Sequence, residues 1–350
     1  MTEIQKPLFT IGVPTYNRKN LLKQTLSSIL QQTFTDFEVI VGNDFPEEVL
    51  SLEMLGINDP RMRVINHKRN MGELENMNYL LSVAQGKYFT WQFDDDPCAP
   101  TFLSEVYSAL IKFEFPTCVF TSFAFIYSTS YYKFNKTTSG KMQLFPGPDF
   151  LRKYLSGNVK ALGCCGIYKT EYLLRIGGAK RLTNGLIALH SEYLLLIGAG
   201  MVPNIAYINK KLVSSRIHEN SWTCANDNVD LFKQAGITLM RESIRILSDN
   251  TLKNDFHKNI KAISKFVISS VVVKIAMSNK QLNMQEIIQY RSLIEKEFHS
   301  LKGTVFYEMA MTGLDIAIKN IPLYKLKAIL KKIIPLKYLK FVHKARSLFS

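Results

Sequence analysis

The sequence lacks the features that mark several common classes of protein. Its cysteines are few and odd in number, without the spacing of a zinc site. Two of the five are adjacent, which is poor geometry for a disulfide, so we expect a reducing, cytoplasmic setting. The five are Cys98, Cys118, Cys164, Cys165 and Cys224. The longest apolar run, 266–277, is short and contains Lys274, and residues 1–10 hold no apolar run like that of a signal peptide.

Acidic side chains are missing from the last 30 residues, which hold eight basic ones. The net charge of the 350-residue chain is +15, so more than half of the excess falls in this tail and the rest of the chain is close to balanced. A nucleic-acid-binding protein is typically basic across its main domain. We therefore expect no nucleic acid as a partner, and binding through the tail is kept as an alternative.

A glycine-rich turn for binding a dinucleotide is also absent, because Gly12 stands alone after the first predicted strand. Four short segments, 8–13, 37–41, 63–65 and 87–93, have the apolar pattern of strands and are joined in part by segments with helical spacing. This order predicts an α/β fold with a mostly parallel sheet flanked by helices. Such a sheet binds ligands at the carboxyl ends of its strands.

The second half of the chain is organised differently. Residues 117–126 and 205–208 are predicted strands, and from about residue 226 one helical pattern follows another. We therefore expect an α/β domain at 1–225, a helical region at 226–320 and a tail at 321–350. The helical region leaves two alternatives open, which are formation of a homo-oligomer and support of the tail.

The tail 321–350 combines apolar residues at helical spacing with lysines at the other positions. Basic amphipathic helices bind anionic membrane surfaces, where each basic residue contributes about 1 kcal/mol. The pattern favours this peripheral membrane role. The alternative is a pair of helices packed on the protein's own surface with a solvated basic face.

Three consecutive carboxylates, Asp94, Asp95 and Asp96, directly follow the fourth predicted strand. Their mutual repulsion has to be offset by solvent or by a cation, and Mg²⁺ and Mn²⁺ prefer such oxygen ligands. A solvated turn that caps a helix is the alternative. Polar residues also follow the first strand, at 14–18, and the second, at Asn43 and Asp44. A carboxylate can accept a hydrogen bond from a ring N–H or a ribose hydroxyl, although a turn explains either segment as well.

Taken together, these segments resemble the family 2 glycosyltransferases, whose domain has the Rossmann-like GT-A fold. The resemblance rests on VPTYNR, LQQTFTDFEVIVGND, NMGELENMN and AQGKYFTWQFDDD, which occur in the family's order within 8–105. The later segments HSEYLLL and RIHENS resemble the family's acceptor-side acidic motif and its closing His-x-x-Ser loop. They extend the resemblance to about residue 222, and the type is that of bacterial surface-polysaccharide enzymes.

The resemblance implies a binding site for a nucleotide-sugar donor, with UDP as the expected nucleotide. Asn70 and Gly72 would lie at the floor of this site. The chain has Asn43 before Asp44 where family members commonly have two aspartates, so the identity of the base stays open. The residues with an implied donor-binding role are Pro14, Tyr16, Arg18, Asp44, Asn78, Asp94 and His218.

The resemblance also implies a cation, Mn²⁺ or Mg²⁺, held by Asp95 with help from Asp96. The cation offsets the charge of the diphosphate leaving group while the acceptor hydroxyl attacks the anomeric carbon. A carboxylate base has to take the hydroxyl proton. Glu192 is the first candidate for this base and His190 the second, and an acid that favours a helix N-terminus is the alternative for Glu192.

The expected function is metal-assisted, inverting transfer of a sugar, by single displacement, from a UDP-linked donor to a hydroxyl. The acceptor is expected to be a saccharide or a lipid-linked saccharide, and the expected location is the cytoplasm, at the cytoplasmic face of the inner membrane if the tail binds lipid. Two alternatives stay open. One is a binding or scaffold protein that keeps the fold without turnover, and the other is a nucleic-acid-binding protein acting through the tail.

Overall fold

The structure of the chain is a computed structural model. It describes residues 6–126, 134, 140–218, 228–248, 256–277 and 284–323. Contacts divide the chain into two compact units. The described parts of the first unit lie within 1–154, 159–181 and 186–216, and those of the second lie within 155–158, 182–185 and 217–350. The boundary predicted at 225 and residues 324–350 of the tail lie outside the described residues, so the three-part division stays a prediction.

The first unit is built on a sheet of eight strands within the described ranges, in the order β3-β2-β1-β4-β7-β5-β8-β6. The strands β1 to β4 pair in parallel, as do β5 and β8, whereas β7 and β6 pair antiparallel to their neighbours. The predicted α/β fold with a mostly parallel sheet is therefore confirmed. The strands are β1 (Phe9–Thr15), β2 (Phe37–Asn43), β3 (Met62–Asn66), β4 (Tyr88–Trp91), β5 (Cys118–Ile126), β6 (Met142–Pro146), β7 (Ile167–Lys169) and β8 (Asn204–Arg216).

Seven helices of the first unit connect or follow these strands in the described part of the chain. They are α1 (Lys19–Leu30), α2 (Leu52–Leu55), α3 (Glu73–Ser82), α4 (Phe102–Lys112), α5 (Gly147–Leu155), α6 (Thr170–Ile176) and α7 (Ser191–Ala199). Alternate residues of β2 pack into two hydrophobic clusters, with Val39 and Val41 in one and Ile40 in the other. Leu26 of α1 belongs to the first cluster and Leu80 of α3 to the second. The sheet is thus buried on both faces, which explains the near-continuous apolar runs of its strands.

The second unit is helical in its described part. Its helices are α8 (Val229–Ser248), α9 (Phe256–Met277), α10 (Met284–Glu297), a short 3₁₀ turn (His299–Leu301) and α11 (Val305–Lys319). The helix α9 contacts the other three α-helices. A side chain at Gly313 of α11 would overlap the carbonyl oxygen of Lys261, so a glycine there permits the close approach of α11 to α9. In the ranges that the structure covers, no helix has the length and apolar character needed to cross a bilayer.

Candidate active site

The parallel strands bring the polar segments of the sequence to one edge of the sheet. Thr15 at the end of β1 lies opposite Asn43 at the end of β2, and β1 pairs on its other side with β4. The chain that leaves β4 enters the acidic turn at Asp94, and the chain that leaves β2 reaches Asp44. The structure therefore places the two segments at the carboxyl ends of the two strands that flank β1, at the edge where an open sheet binds its ligand.

Arg18 pairs directly with the first two carboxylates of the acidic turn. Its guanidinium contacts Asp94, with Nη2 2.6 Å from Oδ1 and Nε donating to Oδ2 at 3.2 Å, while Nη1 donates to Asp95 Oδ2 at 2.9 Å. The hydroxyl of Thr15 donates a third contact, to Asp94 Oδ2 at 2.6 Å. Arg18 is predicted to bind the donor, and in this structure its positive charge offsets the charge of the acidic turn.

The rest of the acidic turn is held by backbone and side-chain contacts from distant parts of the chain. The backbone N–H of Arg216, the last residue of β8, donates to Asp96 Oδ1 at 2.5 Å, and its Nε donates to the carbonyl of Asp95 at 2.6 Å. Thr25 of α1 donates to the carbonyl of Asp94 at 3.0 Å, and the amide of Gln92 donates to the carbonyl of Asp96. The sequence analysis missed Arg216, although it opens the RIHENS segment. The turn is rigidly placed by these contacts.

Burial makes full ionisation of this turn unfavourable. The pKa values of Asp94 and Asp96 are raised above their ordinary range, first by desolvation and then by the negative charge of Asp95. Arg18 opposes the shift at Asp94, and the N–H and the charge of Arg216 oppose it at Asp96. Because both shifts persist in spite of the two arginines, a further positive charge at the turn would be favourable.

Asp44 organises the turn that precedes α3. Both of its oxygens accept backbone N–H groups, from Met71 at 2.7 Å and from Gly72 at 2.8 Å. Gly72 has a φ of 88°, and a side chain there would meet the backbone of Leu186 at 2.8 Å, so the position requires glycine. A carboxylate offers about four lone-pair positions, so Asp44 can still accept from a ligand. Asn70 joins the same turn by accepting from Gly72 at 2.9 Å.

Other predicted donor residues lie in different surroundings. The exposed ring of Tyr16 packs edge-on against Phe45, next to Asp44, with centroids 5.3 Å apart. Pro14 is buried within β1. The side chain of Asn78 forms two hydrogen bonds with the backbone of Ala179, at 2.9 and 3.0 Å. The donor-binding roles of these residues stay predictions.

Asn43, which precedes Asp44, is turned into the protein. Its amide nitrogen donates to the carbonyl of Glu48 at 2.7 Å and to Asn66 Oδ1 at 2.8 Å, and its oxygen accepts the N–H of Phe45 at 3.2 Å. Asn43 therefore holds the loop after β2 against β3.

A second group of polar residues lies at the start of α7. Glu192 is partly buried and accepts the backbone N–H of Gly163. Burial raises the pKa of Glu192 to about 7, and the charge of Glu73 contributes to the shift. His190 immediately precedes the helix with a φ of 63°, and burial lowers its pKa to about 4. At neutral pH the histidine is therefore uncharged, while Glu192 is close to its midpoint and can exchange a proton.

Glu73, the first residue of α3, is a site residue that the sequence analysis missed. Its carboxylate accepts the N–H of Ala188 at 2.9 Å, and its own N–H donates to the carbonyl of Leu186 at 2.8 Å. Burial raises the pKa of Glu73, while the hydrogen bond from Ala188 and the charge of Arg18 lower it. An acid in the first turn of a helix is ordinary in a sequence, so no local signal distinguishes Glu73 from its neighbours.

His218 belongs to the second unit, and its predicted donor contact stays a prediction. The four described cysteines are buried, and burial raises the pKa of each thiol, so they are expected to fill space rather than react.

A mostly parallel sheet with helices on both faces, an acidic turn at the end of a central strand and a helical region after it define a GT-A fold. Residues 10–177 match the model of the family described as Glycosyl transferase family 2, so the chain contains a domain of that family. The resemblance inferred from the motifs within 8–105 is thereby confirmed, and the part that rests on HSEYLLL and RIHENS, beyond residue 177, stays a prediction.

The curated relatives match mainly the first part of the chain. A protein of Escherichia coli (strain K12) named as the colanic acid biosynthesis glycosyl transferase WcaA is 35% identical over 100 residues, which is 28% of this chain and 36% of that protein. The chondroitin synthase of Pasteurella multocida (strain Pm70) is 22% identical over 325 residues, or 90% of this chain and 30% of that protein. The matches span about a third or less of the length of the first curated relatives.

Solved structures share the fold over most of the chain. The crystal structure of S. aureus TarS matches with a TM-score of 0.58 and 13% identity, covering 91% of this chain and 53% of that one. The TarS fragment 1–349 in complex with UDP-GlcNAc matches with a TM-score of 0.57 and 13% identity, covering 90% and 91%. At this identity the likeness shows the fold.

Proposed function

We propose that this protein transfers a sugar from a UDP-linked donor to a hydroxyl of a saccharide or lipid-linked saccharide, with inversion at the anomeric carbon. The observation that carries the proposal is the acidic turn after β4, in which Asp94 and Asp95 pair with Arg18, at the same edge of the sheet as Asp44 after β2. The family 2 domain supports it. The UDP-GlcNAc bound to TarS supports the choice of a UDP-linked donor.

On the donor side, Asp44 and Tyr16 are suited to bind the nucleoside. Asp44 keeps acceptor capacity for a ring N–H or a ribose hydroxyl, and the exposed ring of Tyr16 offers a face for the base. The guanidinium of Arg18 has the planar donor geometry that binds phosphate oxygens, so it can exchange carboxylate partners for the donor's diphosphate.

The residues of the acidic turn fit a divalent cation. Three adjacent carboxylates offer the oxygen ligands that Mg²⁺ and Mn²⁺ prefer, and the buried Asp94 Oδ1 already faces positive charge, with Arg18 Nη2 2.6 Å away. Within the described ranges no group of three or more His, Cys, Asp or Glu side chains forms a metal site. Mg²⁺ is commonly held by one or two carboxylates together with substrate phosphates, and Asp95 with Asp96 would hold it here. Bound Mn²⁺ or Mg²⁺ would supply charge neutralisation for the leaving diphosphate.

On the acceptor side, Glu192 is suited to take the proton of the attacking hydroxyl. A base with a pKa near the working pH combines a useful ionised fraction with a useful proton affinity, and the pKa of Glu192 is about 7. His190 is uncharged at neutral pH and is the second candidate. Since the hydroxyl attacks the anomeric carbon opposite the leaving diphosphate in a single step, Glu192 and the acidic turn have to lie on opposite sides of the bound sugar.

Release of UDP from a panel of UDP-sugars, incubated with Mn²⁺ and saccharide acceptors, tests the function. We expect at least one donor to raise the melting temperature and to give acceptor-dependent UDP release. The variant Asp95→Asn should lose release, and the control Asp149→Asn, which changes an exposed aspartate paired with Arg152, should retain it. Donor binding without acceptor-dependent release would favour the scaffold alternative.

The membrane role of the tail is a separate part of the proposal. Residues 324–350 lie outside the described residues, so the argument for this role is the basic amphipathic pattern of 321–350. We expect the full chain to sediment with vesicles that contain phosphatidylglycerol, and a chain that lacks 321–350 to sediment less. Equal sedimentation of the two would refute the role.

A further inference from the structure

The turn that binds Asp44 and the segment that leads into α7 are joined by backbone contacts. Met71 and Gly72 donate to Asp44, and the next residue, Glu73, donates its N–H to the carbonyl of Leu186 at 2.8 Å. The absence of a side chain at Gly72 lets the two segments meet backbone to backbone. A change in the backbone position of Met71 and Gly72 can therefore be transmitted to Leu186 through one peptide unit.

The carboxylate of Glu73 makes the second contact between these segments. It accepts the N–H of Ala188 at 2.9 Å, and the carbonyl of Ala188 accepts the N–H of Ser191 at 3.1 Å, in the first turn of the helix that carries Glu192. Glu73 thus holds the segment 186–191 at two points, through its backbone and its side chain. The side-chain contact is the one that a substitution can remove.

Glu73 also interacts electrostatically with charged residues of both the acidic turn and the α7 segment. Arg18 and Asp95 act on its carboxylate, and its own charge acts on Glu192. In the described part of the chain, the charge of Glu192 also acts on Tyr154, Tyr193, Cys164 and Cys165, and each of them has a raised pKa and stays neutral near pH 7. Glu73 is therefore the acidic neighbour whose ionised form raises the pKa of Glu192.

We propose that Glu73 is a positioning residue that couples the nucleotide turn at 70–72 to the segment 186–192, so that donor binding at Asp44 fixes the placement of the base Glu192. This inference rests on the proposed function. The hydrogen bond to Ala188 sets the position of the segment, and the charge of Glu73 increases the proton affinity of Glu192.

Two substitutions separate these effects, and a third is the control. Glu73→Gln keeps an oxygen for the N–H of Ala188 but removes the charge, whereas Glu73→Ala removes both. Glu75→Gln removes an exposed acid in the same first turn of α3, where Glu75 pairs with Arg181 at 2.8 Å.

In Glu73→Gln we expect kcat to fall several-fold with the donor KM within about twofold, and the acidic limb of the kcat/KM profile to move to lower pH by about half a unit. In Glu73→Ala we expect kcat to fall by about a further tenfold, because the hydrogen bond to Ala188 is also lost.

Amide hydrogen exchange with UDP and Mn²⁺ tests the coupling without an activity readout. We expect UDP to slow exchange at 186–191 in the wild type and in Glu75→Gln, and to leave it unchanged in Glu73→Ala. A wild type that binds UDP without this protection would overturn the coupling and leave the proposed function standing. An unshifted pH limb in Glu73→Gln would overturn the electrostatic part, and a wild type that binds no UDP would overturn both the function and this inference.

Discussion

The two sides of the candidate site are stabilised by different kinds of contact. On the donor side, carboxylates face positive charge and hydroxyl donors, as in the pairing of Asp94 with Arg18 and Thr15. On the acceptor side, Glu73 and Glu192 are carboxylates that each accept one backbone N–H and repel one another. The donor side is thus suited to bind a further positive charge, because the pKa values of Asp94 and Asp96 are raised in spite of the arginines, and on the acceptor side Glu192 is suited to exchange a proton near neutral pH.

The largest expected effect comes from removing the candidate base on the acceptor side. Glu192→Gln removes the base but keeps an oxygen for the N–H of Gly163, so we expect kcat to fall about 10²–10⁴-fold. UDP affinity should stay unchanged, because the donor side is intact. Initial rates of UDP release and calorimetry of UDP binding measure the two quantities.

Glu171→Gln is the matched control, since Glu171 is an exposed acid in the first turn of α6. Its rate should equal that of the wild type. Full transfer by Glu192→Gln would rule out Glu192 as the base and direct attention to His190.

The next largest effect comes from removing the positive charge of Arg18 on the donor side. Arg18→Gln leaves the buried carboxylate of Asp94 without its opposite charge, and breaking a buried pair is expected to lower the free energy of unfolding by about 3 kcal/mol at pH 8. The pKa of Asp94 is already raised, so the folded state favours its protonated form and stability falls as pH rises through the folded pKa. The loss should therefore be smaller at pH 5 than at pH 8.

Urea unfolding at the two pH values measures this loss, and Mn²⁺ should restore part of it at pH 8. Arg152→Gln, which removes an exposed ion pair with Asp149, should change stability by less than about 0.5 kcal/mol at either pH. Equal losses for Arg18→Gln at both pH values would contradict a buried, charge-dependent donor side.

The smallest expected effect is on stability, and it measures how much the buried charge of Glu192 on the acceptor side lowers the free energy of unfolding. The pKa of Glu192 is about 7 in the folded state against an ordinary value of 4.5, so its ionisation destabilises the fold as pH rises between these values. A rise of the pKa from 4.5 to about 7 corresponds to about 3 kcal/mol, and solvent screening at this partly buried carboxylate lowers that value. Glu192→Gln should therefore be more stable than the wild type by about 2 kcal/mol at pH 8 and nearly equal to it at pH 4.5. Melting temperatures across this range measure the difference, and a variant less stable than the wild type at pH 8 would place the carboxylate in a favourable environment instead.

The same contrast explains how much of the molecule the sequence predicts. The strands β1, β2 and β4 are predicted because their apolar runs are buried on both faces, and the polar residues that follow them, such as Asp44 and Asp94, then lie at the same edge of the sheet. The antiparallel strands β6 and β7 are short and carry no such run, and they were not predicted.

Within the site, the missed contacts join residues far apart in the chain. The N–H of Arg216 donates to Asp96 across 120 positions, and that of Ala188 donates to Glu73 across 115. Both donors are backbone groups, which every residue except proline carries, so no residue type marks them. The raised pKa of Glu192 likewise comes from burial, which a sequence shows only after the fold is known.

Calorimetry of UDP binding with and without Mn²⁺, in the wild type and in Asp95→Asn, tests the central claim most directly. The acidic turn should hold a cation that binds the diphosphate, so we expect Mn²⁺ to tighten UDP binding to the wild type by about tenfold or more, which corresponds to about 1.4 kcal/mol. Asp95→Asn should abolish this increase, and Asp149→Asn should keep it. UDP affinity that is the same with and without Mn²⁺, or an increase that survives in Asp95→Asn, would contradict the account.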